Sequence, residues 1–303
     1  MTPHLSSKVL VMAVFVLAVS PAPASAQPEP YFVPSKDWAP EVCSDWFVDS
    51  VARELGKILI RRDSGVFVDK LNGNVVQTRT LDTTSASRDN FTYRYETAAV
   101  EIGWATCKAG KRNFVATGGA FSVGTTTISN VDRQQQEIAY KGPAGPAGFR
   151  VGGTAGRRFG GDRNTWVISA GYDYERLQDG NAARTPALTV TGGTVPSEQY
   201  KTLGQFDTLS ATLAYSRELS VKTRIITWGG SRYLWGDMRV DRQATIDFGQ
   251  GRTSEFTGRT ELTARGAFVA LGGGMQFRRG SIFAEIFGGK QSGFKAGGSW
   301  RWP

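Results

Sequence analysis

Apolar and polar residues alternate along most of this chain. In "AAVEIGWAT" (98–106), Ala98, Val100, Ile102 and Trp104 fall on one side, against Ala99, Glu101, Gly103 and Ala105. "TWVISAGYDYE" (165–175) sets Trp166, Ile168, Ala170, Tyr172 and Tyr174 against Ser169, Gly171, Asp173 and Glu175. "TLSATLAYS" (208–216), "ARGAFVALGGGMQF" (264–277) and the C-terminal "SGFKAGGSWRWP" (292–303) repeat the pattern. A period of two is that of an extended strand, whose side chains point to opposite faces in turn. The pattern predicts an all-β protein.

The connections carry more information than the strands. "CKAGKRN" (107–113), "FGGDRN" (159–164), "ELSVKT" (218–223) and "RRG" (278–280) are short polar turns. Long polar stretches lie between them, at about 128–146, 179–204 and 240–258. Short and long connections alternate, as they do in antiparallel barrels that cross the bacterial outer membrane. Counting back from the C-terminus places strands over 293–302, 281–289, 258–277, 222–240, 205–217, 165–178, 147–158, 114–127 and 91–106. A first strand is needed within 62–82, giving about ten, with eight and twelve still open. The Asn72-Gly73 pair inside that window is a hairpin signal.

Upstream, "SDWFVDSVARELGKILI" (44–60) changes period. Phe47, Val48, Val51, Ala52, Leu55, Ile58 and Leu59 recur at helical spacing behind Ser44, a plausible N-cap. The expectation is a short amphipathic helix on the periplasmic side, in an N-terminal segment over 27–62. Residues 63–303 would then form a transmembrane β-barrel.

Residues 1–26 read as a secretory signal peptide. Lys8 supplies the positive start, Val9 to Val19 the apolar run, and Ala24-Ser25-Ala26 the small-residue cleavage pattern before Gln27. Without Lys8 the exported chain carries 35 bases and 27 acids, a net charge of +8. Export argues against a nucleic-acid partner and favours lipopolysaccharide or an anionic solute. Two cysteines, Cys43 and Cys107, both fall on the periplasmic side of this topology and are expected to form a disulfide.

The single histidine is His4, inside the signal peptide. Its loss on cleavage excludes Ser-His hydrolysis and imidazole-ligated zinc from the exported chain. No G-x-S-x-G elbow or phosphate-binding loop is present. Carboxylate-pair chemistry stays open on composition, but no enzymatic role, cofactor or metal is expected.

If the apolar faces meet lipid, the opposite faces line a lumen. They carry Glu101, Arg150, Asp173, Glu285, Lys295 and Arg301, of both signs. Such charges either bias permeants in a narrow hydrated pore or pair off and plug the interior. The face assignment of 222–235 is ambiguous, since Ile226, Trp228 and Leu234 suggest one register, Tyr233 and Trp235 the other.

With its leader, the alternating strands of 91–302, the rhythm of short turns and long loops, and the aromatic end "GSWRW", the chain resembles small bacterial outer-membrane β-barrel proteins. The resemblance implies outer-membrane localisation, contact with outer-membrane lipid and lipopolysaccharide, and assembly by the barrel-assembly machinery. In that class the last strand ends on an aromatic residue; here Trp302 fits, followed by Pro303. Phe294, Trp300 and Trp302 are then the aromatics of the closing strand. The leading functional expectation is a porin-like narrow channel for small solutes or ions. A non-conducting structural or adhesin-like barrel with a plugged lumen is the alternative, and a soluble exported β-sandwich the second.

Overall fold

The computed structural model describes residues 45–81, 90–108, 113–131, 137–141, 145–160, 163–185, 194–220, 223–277 and 280–301. The leader, its cleavage site, Cys43 and Trp302 lie outside the described residues. Twelve antiparallel strands follow: β1 (Asp45–Leu71), β2 (Asn74–Leu81), β3 (Asn90–Lys108), β4 (Asn113–Val131), β5 (Glu137–Lys141), β6 (Gly145–Gly160), β7 (Asn164–Thr185), β8 (Thr194–Ser220), β9 (Thr223–Asp247), β10 (Thr253–Gln276), β11 (Gly280–Gly289) and β12 (Gln291–Arg301). Most strands pair with their sequence neighbours (β2 does not pair with β3, nor β5 with β6), and β12 pairs with β1, so the sheet closes on itself. β2 and β3 share one side of β1, and β5 and β6 share one side of β4. The twelve segments therefore occupy ten positions around the ring.

The helix expected over 44–60 is replaced, among the described residues 45–60, by β1. The cause lies in the pairing register. β1 runs regularly against β3 from Asp45 to Val51, then slips, and resumes at Glu54 opposite Thr97. Against β12 it slips between Val51 and Arg53. Such a bulge shifts the strand's phase by one residue. Apolar residues on either side of it then stand three and four apart, the spacing of a helix. The first strand thus begins well before residue 62, and Asn72-Gly73 makes the turn to β2, both with positive φ.

Tracing residues directly across the ladders shows how the sheet is sheared. Trp46 faces Trp104, then Thr117, Gly153, Tyr172, Leu209, Tyr233 and Ala267. Lys290 N donates to Ala267 O, and Leu59 N donates to Lys290 O. The path returns to β1 thirteen residues above its start, one of them the bulge. A stagger of twelve over ten strands corresponds to a tilt of about 40° and a backbone radius of about 10 Å.

Side-chain exposure is reversed relative to a soluble protein. Ile102 is 57% exposed, while its neighbour Glu101 is 3% exposed. Val115, Val151, Ile168, Leu209, Leu213, Val269, Leu271, Ile282 and Ile286 are all exposed on the outer face. Aromatic residues border this apolar band. Below lie Phe159, Trp166, Tyr215 and Phe277, with Trp166 and Tyr215 in ring contact at 4.7 Å. Above lie Phe121, Phe149, Tyr172, Tyr233 and Trp235, with Tyr172 and Tyr233 each within 6.4 Å of Trp235. With about 2.5 Å of rise per tilted residue, the belts are about 20 Å apart.

The ring also tapers. The β11–β12 hairpin turns at Lys290, wedged between Ala267 and Leu59. Above it β1 pairs directly with β10, from Arg61 opposite Thr263 to Leu71 opposite Ser254. Ten strands enclose the lumen between the belts, and eight enclose it above the hairpin tip. The polar stretches 179–204 and 240–258, expected as loops, are largely strand in this upper neck.

A charged lumen layer between two apolar layers

Inward positions sort by height into three layers. The middle layer is ionic. Glu285, 2% exposed, stands opposite Lys295 in the β11–β12 ladder, and Lys295 Nζ lies 3.1 Å from its Oε1. Arg232 Nη2 donates to Glu285 Oε2 at 2.9 Å, and Trp228 Nε1 donates to the same oxygen at 2.7 Å. Two cations and an indole thus converge on one buried carboxylate. Gly272, facing both Trp228 and Glu285 across the ladders, makes this geometry accessible. A methyl group there would run into the indole.

On the opposite wall Arg150 Nη2 lies 3.5 Å from Glu101 Oε2. Here too small residues make the space. Gly103, Gly118 and Gly152 lie side by side across β3, β4 and β6. A Cβ on Gly118 would stand 2.6 Å from Glu101 Oε1. Asp173 faces Gly152 from β7.

The lower layer is apolar. Phe114, Val167, Ala214, Ile226, Trp228 and Phe283 pack together near the short-turn end. Arg224, 2% exposed, lies just beneath and donates to Ser216 Oγ at 2.8 Å and Thr165 Oγ1 at 3.4 Å. The upper layer is larger and fills the eight-stranded neck. Ile58, Ile60, Tyr93, Ile128, Tyr200, Phe206, Leu234, Met238, Leu262 and Ala264 form one buried cluster. Arg242 covers it from above, stacked over Phe256 at 4.6 Å and Tyr200 at 5.6 Å. On the neck's outer face Arg239 and Arg259 hold Asp241 at 2.7 and 2.9 Å. Burial raises the Asp241 carboxyl, but the two guanidiniums outweigh it and hold it below the usual range.

Of the charges expected to line the lumen, the structure joins Glu285 with Lys295 and Glu101 with Arg150. Asp173 sits in the same layer, on the Glu101–Arg150 wall opposite Gly152. Arg301 ends β12 opposite Phe47, and Trp300 pairs with Gly280 and Val48. Phe294 is half-buried, opposite Leu55. Cys107 lies in β3 opposite Phe114; the disulfide itself falls outside the described residues. Sequence reasoning missed Arg232, Trp228 and Arg224, because 222–235 carries apolar residues on both faces. The even positions point inward, and the signal was Arg224 and Arg232 sharing that parity with Ile226, Trp228 and Leu234.

No family model matches the chain, and no curated protein matches it. Among solved structures it is similar to the transport unit of the autotransporter AIDA-I from Escherichia coli. That likeness has 10% identity and a TM-score of 0.32, over 86% of this chain and 90% of the other. It transfers no residue role.

Proposed function

We propose that this chain is an outer-membrane β-barrel whose lumen is packed shut, and that it acts as a scaffold for its extracellular neck and loops. The taper from ten strands to eight carries this reading. An eight-stranded ring is just wide enough for side chains to fill, and here apolar side chains fill it. Tyr200, Phe206 and Ile60 are each 1% exposed, and Leu262 not at all. The lower apolar layer closes the other end. Ions crossing the polar middle layer would have to displace both.

The exposed apolar band between aromatic belts supports membrane insertion, since a soluble protein rarely leaves so large an apolar surface uncovered. On this reading the outer wall meets outer-membrane lipid and lipopolysaccharide, and the chain is a client of the barrel-assembly machinery. The charges at Glu285 and Glu101 are internal struts, and no catalytic role is assigned to them. A porin-like channel, the other reading, requires the neck to open. Refolded protein that migrates differently before and after boiling in detergent gels supports the barrel. Identical migration, together with soluble periplasmic fractionation, refutes it.

A further inference from the structure

We propose that a groove on the outer wall, where β12, β1, β3 and β4 run side by side, binds the phosphate of an outer-leaflet glycolipid headgroup. The proposal rests on the membrane reading above and adds a site to it. Lys57 and Arg94 are ladder partners, so their side chains leave the same face next to each other. Like charges directly opposite each other destabilise a strand pair. An anion seated between them meets both charges at once.

The rest of the groove suits a phosphate. It encloses about 410 Å³, and Thr125, Thr127 and Ser292 are among its lining residues. Ser292 faces Lys57 and Thr127 faces Arg94 in the ladders, so each hydroxyl stands beside a cation. Glu96 is the acid among the lining residues, leaving two bases against one carboxylate. Arg94 offers a planar donor fork that fits phosphate oxygens, and Lys57 a mobile point charge.

Height decides the source of the phosphate. Lys57 stands eleven positions above Trp46, one of them the bulge, or about 25 Å above the lower end of β1, against about 20 Å between the belts. That is just beyond the upper belt, at headgroup level. Directly below, Leu55 faces Phe294 and offers apolar surface to an acyl chain. Exposed Arg265 of β10 lies at the same height and extends the basic surface.

Native mass spectrometry of the full refolded chain in detergent, titrated with bis-phosphorylated lipid A, tests this. Wild type is expected to retain the lipid. The Lys57→Gln/Arg94→Gln double variant should bind about thirtyfold more weakly, as expected for two basic residues at a lipid surface. Dephosphorylated lipid A should bind as weakly to wild type, and millimolar inorganic phosphate should not compete. Unchanged affinity in the double variant, or equal binding of both lipids, overturns the proposal. Should the double variant fail to fold, Arg94→Gln alone carries the test, with about a fivefold loss. Heat-modifiable migration, read separately, reports on the membrane barrel, so loss of lipid binding and loss of the barrel remain distinct outcomes.

Discussion

At the scale of single residues, Glu285 has the greatest leverage on the lumen. It is the counter-charge of Arg232 and Lys295 and the acceptor of the Trp228 indole. Removing one member of a buried ionic group leaves the others desolvated and unpaired. Glu285→Gln should therefore lower stability by about 3–5 kcal/mol, measured by urea unfolding of the protein refolded in vesicles. Glu101→Gln should cost less, because the Arg150 side chain is 23% exposed and retains water. Equal losses would show that the Glu285 cluster is not a strut. Asp241 gives a pH dependence in the neck, beyond the apolar band. Arg239 and Arg259 hold its carboxyl below the ordinary aspartate value of 3.8, so its contribution is present above that pH and lost as pH falls through the depressed value. Protease nicking of the β9–β10 extension should stay slow at neutral pH and accelerate in strong acid. Asp241→Asn should be insensitive to pH over that interval.

Elements show which parts of the fold were legible in the sequence. Strands with Ile, Leu and Trp on the exposed outer face and Gly, Ser and Glu on the inner face alternate cleanly, and β3, β7 and β8 follow the predicted faces. Two elements did not read this way. The bulge in β1 breaks the period of two and mimics a helix. β9 points Trp228 and Leu234 inward and Tyr233 and Trp235 outward, so both faces are apolar and alternation vanishes. The neck was hidden for another reason. On the proposed membrane reading the neck stands outside the bilayer, where a strand needs no lipid-facing residues, so polar composition reads as loop. Packing in the neck is nonetheless that of a protein core. Phe206→Ala should cost about 3–5 kcal/mol, as for a buried aromatic elsewhere, read from the same unfolding experiment. The N-terminal element yields a covalent prediction. Asp45 pairs with Ala105, and Cys43 and Cys107 lie two residues beyond that pair in sequence. Non-reduced peptide mapping should recover a Cys43–Cys107 linked pair. Two alkylatable thiols would contradict it.

At the scale of the whole molecule, a single device explains the shape. The short β11–β12 hairpin stops at Lys290, and its absence above that level converts a ten-stranded ring into an eight-stranded one. The wider section has room for charges and glycines, and the narrower section is filled by Tyr, Phe, Ile and Leu. The individual lumen charges were visible in the sequence, but the layering was not, because it depends on shear and strand length together. A sealed lumen is the central claim, and planar-bilayer recording of the refolded, heat-modifiable protein tests it most directly. The expected result is inserted protein with no unitary conductance across salts and voltages. Steady ohmic channels whose ion selectivity shifts on substituting Glu285 or Lys295 would contradict it.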